Sequence, residues 1–265
     1  MQHRFSRTER LIGAARLARL EGAHGAVFGV GGVGSHAAEA LCRAGVGTIT
    51  LVDFDDICLT NVNRQIHALQ STVGKPKVDV LAARLREINP AASIRGVREF
   101  YSAETAPALL QQYDVVLDCI DHFTSKIDLL ARCVELGIPV VCSMGAAARL
   151  DPTRIHVADI SQTRVDPMAR TVRKLLRKRG VERGIPVVFS TEEPTLPETG
   201  DSPCRDDCIC PNRDDTLFSC RHRRVILGSI SYIPAIFGMT MAGVAIRMLL
   251  GENVLPPLRS SGRRL

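Results

Sequence analysis

The run Gly29-Val30-Gly31-Gly32-Val33-Gly34-Ser35 constrains this chain more than any other. It ends an apolar stretch, Gly25 to Val30, and opens a helical pattern from Ser35 to Ala44, with a second apolar stretch from Thr48 to Asp53 behind it. Strand, glycine turn, helix and strand make a βαβ unit, which requires parallel pairing and a right-handed crossover. Glycines allow positive φ and close backbone approach, and amides at the start of the next helix favour an anion. Asp53, 19 residues beyond Gly34, stands where a ribose hydroxyl is accepted. A nucleotide site is the expectation, and a purely structural tight turn is the alternative.

The alternation continues. Helices are predicted over residues 8–20, Lys75 to Ile88, Ala103 to Gln112 and Thr124 to Leu136, with strands over Ser93 to Val97, Asp114 to Cys119 and Pro139 to Ser143. This pattern predicts an α/β fold with a Rossmann-like doubly wound, mostly parallel sheet. From Arg149 the pattern loosens: a strand over Ile155 to Asp159, a basic helix over Pro167 to Arg179, a strand over Val187 to Ser190, then a long crossover loop over residues 192–216. A single domain over 1–265 is expected, with a nucleotide-binding core at about 20–150 and a substrate-facing C-terminal extension at about 151–265. At 45% hydrophobic residues the chain can bury such a core.

The 22 residues from Val225 to Ile246 carry no charge and could cross a bilayer by length. Glycines, Pro234 and hydroxyl residues interrupt the run, so a buried helix from about Pro234 to Leu250 is expected, with membrane contact as the alternative. The nine cysteines are an odd number, and the first five lie in core-like segments, which suits a reducing cytoplasm better than a disulfide framework. The net charge of +6 is concentrated in Arg170, Arg173, Lys174, Arg177, Lys178 and Arg179, then Arg221, Arg223 and Arg224. Such clusters are either a solvated face or a surface for a polyanion. With no tryptophan and three tyrosines, stacking platforms for single-stranded nucleic acid are sparse.

A redox Rossmann domain explains the glycine loop but not the charged residues downstream of it. Asp53-Phe54-Asp55-Asp56, Asn61-Val62-Asn63-Arg64-Gln65, Gly74-Lys75-Pro76-Lys77 and Asp121 supply donors (Asn61, Arg64, Lys77) and acids able to hold Mg²⁺. Nucleotidyl transfer needs that neutralisation around a triphosphate and its pyrophosphate leaving group, whereas hydride transfer does not.

The set GxGGxGS, LVDxDxxxxxNxNRQ, GKPK and DCxD, in that order, resembles the ThiF/MoeB/ubiquitin-activating-enzyme adenylation superfamily over about residues 4–145. The resemblance implies ATP as the nucleotide. It places Gly29, Gly31, Gly32 and Gly34 in the nucleotide loop, Asp53 on the ribose, Asn61, Arg64 and Lys77 on phosphates, and Asp121 on Mg²⁺. It also matches Arg7 to an arginine that homodimers of the family donate to the partner's active site. Asp118 is read as orienting the strand end, and His67 as a satisfied helix residue.

Two branches divide the second half. Activators of ubiquitin-like sulfur carriers carry paired Cys-x-x-Cys motifs, which this chain lacks. Its Cys204, Cys208, Cys210 and Cys220 fall within 17 residues and could bind Zn²⁺, remain free or redox-active, or pair as a disulfide. A crossover nucleophile for a ubiquitin-like partner stays open for Cys208, Cys210 or Cys220. Arg4-Phe5, Asn61 to Leu69, Ile88-Asn89-Pro90, Asp151-Pro152-Thr153, Asp166-Pro167, Phe189-Ser190-Thr191-Glu192 and Gly228-Ser229 resemble instead the tRNA threonylcarbamoyladenosine dehydratases, over about residues 4–250. That resemblance implies adenylation of a carboxylate on tRNA followed by cyclisation with release of AMP.

Overall fold

The computed structural model of the protein describes residues 2–195 and 227–255. Its chain order is α1 (Ser6–Ile12), α2 (Ala14–Glu21), β1 (His24–Phe28), α3 (Gly34–Ala44), β2 (Thr48–Val52), α4 (Lys77–Ile88) and β3 (Ser93–Val97). It continues with α5 (Ala106–Leu109), β4 (Val115–Asp118), α6 (Phe123–Glu135), β5 (Val140–Ser143), β6 (Ile155–Asp159), α7 (Pro167–Arg177), β7 (Pro186–Ser190) and α8 (Tyr232–Leu249). The strands form one sheet in the order β3-β2-β1-β4-β5-β7-β6, parallel throughout except for the antiparallel β6–β7 pair. The Rossmann-like, mostly parallel sheet is therefore as expected.

Strand order reverses between β1 and β4, and at such a switch point the connecting loops part to leave a crevice beyond the strands' carboxyl ends. The glycine turn leaves β1 there, and Asp118 ends β4 beside it through the register Phe28 to Asp118.

Side chains alternate along each strand, so the central strands feed two cores. Val27, Leu51, Leu117 and Val141 face α3, α4 and α8, while Phe28, Val52, Val116 and Cys142 face α6 and α7. Helix α8 is long and apolar enough to cross a membrane, yet half of it is buried inside the fold. A methyl group added at Gly238 would stand 2.3 Å from the Val33 carbonyl oxygen, so α8 lies directly on the start of α3. Its apolar length is used in packing the core.

Two helix expectations are corrected. The periodicity over 8–20 runs through Gly13, whose φ of 85° breaks it into α1 and α2. The segment Ala103 to Gln112 keeps only four helical residues, because Leu110 turns to an extended conformation on the way to β4. The last helix begins at Tyr232, two residues earlier than read, and α4 begins at Lys77.

Candidate active site

Three of the four glycines of the turn after β1 have separate geometric reasons. Gly29 has φ 83°, donates its N–H to the Val52 carbonyl at 2.8 Å, and has Cys119 O 2.9 Å from where a methyl would sit. At Gly34 a methyl would lie 1.8 Å from the Gly29 carbonyl oxygen. At Gly32 it would meet Pro234 Cβ at 3.1 Å and Arg64 Cγ at 3.4 Å. Gly31 is open, with Gln65 Nε2 nearest at 3.8 Å. No side chain caps the start of α3, so its positive end is available to an anion.

Asp53 sits beneath this turn, 9% exposed, and its two oxygens accept the N–H groups of Val30 (2.7 Å) and Asp55 (2.9 Å). The chain at 55–57 pairs with the chain at 74–77 through Ile57 N–H to Lys75 O (2.9 Å) and Lys77 N–H to Asp55 O (3.1 Å). That short pairing carries Lys77 across, and its Nζ stands 2.6 Å from Asp55 Oδ2 and 4.0 Å from Asp53 Oδ1. Burial alone lowers the Lys77 pKa, but the charges of Asp53, Asp55 and Asp121 outweigh it and hold the ammonium above its ordinary value. The exposed Asp121, in the loop after β4, adds the smallest share to this field.

Asn61 is buried, and its Oδ1 accepts the Cys58 N–H at 3.0 Å, closing a short 3₁₀ turn at Leu59–Asn61. Arg64 comes next along the chain, with its stem over Gly32 and its guanidinium donating to Thr60 O (2.8 Å) and Asn63 Oδ1 (2.9 Å). The turn thus gathers Gly29, Gly31, Gly32, Gly34, Asp53, Asn61, Arg64, Lys77 and Asp121 at one end of the sheet. His67 is not the satisfied helix residue read from the sequence. It lies in a turn, with both ring nitrogens buried and without a partner, and burial with the nearby Lys77 charge lowers its pKa to about 3.

One member of this region carries no sequence motif. Lys126 is fully buried and places Nζ 2.6 Å from Asp118 Oδ2 and 3.0 Å from Ser143 O. The other Asp118 oxygen accepts the Ile120 N–H at 3.1 Å, so the pair holds the loop that carries Asp121. A lone lysine on an otherwise apolar helix face was the available signal.

Arg7 lies elsewhere. It is exposed on α1, beside Phe5, whose ring stands 3.7 Å from a methyl placed at Gly45, the C-cap of α3. An 11-residue helix separates that cap from the glycine turn, about 16 Å. Cys204, Cys208, Cys210 and Cys220 lie outside the described residues, as do Arg221, Arg223 and Arg224. The described cysteines (Cys42, Cys58, Cys119, Cys133 and Cys142) are all free thiols. No cluster of three His, Cys, Asp or Glu side chains suited to a metal occurs among the described residues.

The fold and the site can be set beside known proteins. A tRNA threonylcarbamoyladenosine dehydratase of Bacillus subtilis is 44% identical over 253 residues, spanning 95% of this chain and 96% of the relative. One from Escherichia coli is 37% identical over 261 residues, spanning 95% of each. The crystal structure of the E. coli tRNA N6-threonylcarbamoyladenosine dehydratase, TcdA, in complex with ATP superposes with a TM-score of 0.80 at 36% identity, covering 94% of both chains. The family model for the ThiF family matches residues 5–263, and with that breadth of match the chain belongs to the ThiF family.

Proposed function

We propose that this chain uses ATP to adenylate the carboxylate of threonylcarbamoyladenosine in tRNA and then closes that side chain into a ring with release of AMP. The observation that carries the chemistry is the buried Lys77 held by Asp53 and Asp55 beside an uncapped helix start, with Asp121 adding to the same field. What supports the acceptor is a similarity to dehydratases that runs through the second half of the chain as well as the nucleotide end.

In this reading the glycine turn and α3 hold the phosphates, and Asp53 takes the ribose. Asn61, Arg64 and Lys77 contact the phosphates, and the two cations neutralise charge as the acceptor carboxylate attacks the α-phosphorus and pyrophosphate departs. Hydroxide is a poor leaving group, whereas AMP is a good one. The carbamoyl oxygen or nitrogen of the same side chain then attacks the activated carbon at high effective molarity, and the C–O bond to AMP breaks. Mg²⁺ needs only one or two carboxylates when nucleotide phosphates supply other ligands, and Asp121 suits that role. When bound it would neutralise phosphate charge. Zn²⁺ on the four late cysteines is a proposal from sequence alone. A cytoplasmic setting suits an enzyme of tRNA with free thiols.

The test is digestion of tRNA after incubation with ATP and the protein. The modified nucleoside should become lighter by one water, with AMP and pyrophosphate formed in step. Pyrophosphate exchange stimulated only by a Gly-Gly-tailed carrier protein would favour the sulfur-carrier alternative instead.

Arg7 stands too far from the glycine turn of its own chain to reach the phosphates, so its role requires a second copy. Arg7→Ala and Asp121→Ala should each be inactive alone. Mixed in equal amounts and allowed to exchange subunits, they should recover about a quarter of the normal rate, since half the dimers are mixed and each has one intact site. No recovery would remove Arg7 from the partner's site.

Helix α7 buries Ala169, Val172 and Leu176 and exposes Arg170, Lys174 and Arg177, with Lys178 exposed at its C-cap. If these four meet phosphates, tRNA affinity should fall with a log–log salt slope of about −3, or about 60-fold over a fourfold rise in salt. A flat response in a filter-binding titration would leave them as ordinary surface charge.

A further inference from the structure

A third buried ion pair joins the chain after β5 to the start of the basic helix. Arg149, 4% exposed, comes after β5. Its guanidinium donates to the Glu192 carbonyl, and Nη2 stands 3.4 Å from Asp166 Oδ2. Asp166 is the N-cap of α7, accepting the Ala169 N–H at 2.9 Å, and its carboxylate stands 3.8 Å from the methyl position of Gly145. Glu192, just beyond β7, returns the contact by accepting the N–H groups of Leu150 (3.0 Å) and Asp151 (2.9 Å).

The backbone around this pair is unusual. The only non-glycine residues with positive φ among those described are Ala148 (59°) and Val165 (68°), and each immediately precedes one partner of the pair. Such a conformation is unfavourable for a β-branched residue and persists only where the surroundings over-determine it. Ala148 also joins two further segments. Its N–H donates to Gly228 O (2.8 Å), and its carbonyl accepts the Thr195 N–H (2.9 Å). From Gly228 the chain runs into α8, whose Pro234 packs on Gly32 of the nucleotide turn. The Arg149 guanidinium and the Ala148 backbone beside it therefore together tie the start of the basic helix to the segments that lead back to the glycine loop.

We propose that Arg149 is a positioning residue for the polyanionic acceptor: through Asp166 it fixes the N-terminus of α7, so that Arg170, Lys174 and Arg177 are presented at a set distance from the adenylation site. The proposal rests on tRNA being the acceptor. A buried pair is a weak source of net stability, since apolar or neutral replacements are often tolerated. Its larger effect is then on where the helix points.

The test compares wild type, Arg149→Lys and the neutral double variant Arg149→Met with Asp166→Asn. Asparagine caps a helix as well as aspartate, and the double variant leaves no unpaired buried charge. The double variant should raise the KM for tRNA about tenfold, with kcat and the KM for ATP changed by less than about twofold. Amides at the start of α7 should exchange faster. Arg149→Lys, which keeps a cation within reach of Asp166, should recover most of the loss. Equal rises in both KM values, or a folded double variant with the wild-type KM for tRNA, would overturn the proposal. Should wild type fail to turn over tRNA, the dehydratase function falls by itself. Amide exchange then decides the clamp alone: unchanged protection at Ala169 to Val172 refutes it.

Discussion

Gly34→Ala is expected to abolish ATP binding in a protein that still forms its sheet. The added methyl would lie 1.8 Å from the Gly29 carbonyl oxygen, far inside contact distance. Relief by moving Gly29 is blocked, because its N–H is bonded to Val52 O and the Cys119 backbone occupies the space beside it. The turn must therefore open. Alanine is the better helix former by about 1 kcal/mol, but overpacking of a fixed backbone costs about 1–3 kcal/mol and moves every amide aimed at the phosphates. ATP affinity should fall by at least about a hundredfold in a calorimetric titration, which corresponds to about 3 kcal/mol. Gly31→Ala is the control. Nothing but Gln65 Nε2 lies within 4 Å of its methyl, so the fold should be unchanged. Wild-type ATP affinity in Gly34→Ala would mean that the turn is not the nucleotide cradle.

Lys77→Met should be the most damaging change to a single side chain of the site. It removes a cation from the phosphates and leaves Asp53, 9% exposed, without the charge that offsets its burial. Loss of one such group costs about a hundred- to a thousandfold in turnover. Breaking a buried pair by removing one partner costs about 3–5 kcal/mol, and here less, because Asp55 retains 44% side-chain exposure and can turn to water. The pH dependence has a definite sign. Burial pushes the Asp53 carboxyl up, and without Lys77 it rises further. A carboxyl that titrates higher in the folded state than in the unfolded one binds its proton better when folded. Its ionisation therefore destabilises the fold as pH rises. The stability gap between wild type and Lys77→Met should thus narrow from about pH 8 to about pH 5. Urea unfolding at the two pH values measures it, and a constant gap would remove Asp53 as the group left unpaired.

Much of the nucleotide end was legible because its determinants are local. The glycine spacing demands a turn, the apolar run Thr48 to Asp53 a strand, and Lys75 to Ile88 a helix, each over a short stretch of chain, and the structure shortens the strand by one residue and the helix by two. Where local signals misled, a neighbour intervened. The apolar spacing over 8–20 continues through Gly13, but periodicity does not register a single positive φ. The uncharged run ending at Ile246 does not mislead: its glycines, Pro234 and hydroxyl residues favour a buried helix over a membrane span, and α8 packs in the core. The seat of Gly238 on Val33 shows that environment directly.

The sequence by itself determined the class of fold, the glycine turn and the set of charged groups proposed to meet a nucleotide, since residue type and short spacing suffice for these. Tertiary structure alone decided that Lys77 meets Asp53 and Asp55, that Lys126 neutralises Asp118, that Arg149 holds Asp166, and that Arg7 lies at the opposite end of α3 from the glycine turn. These pairings join residues brought together by the packing of helices on the two faces of the sheet, and no periodicity along a chain encodes which faces will meet.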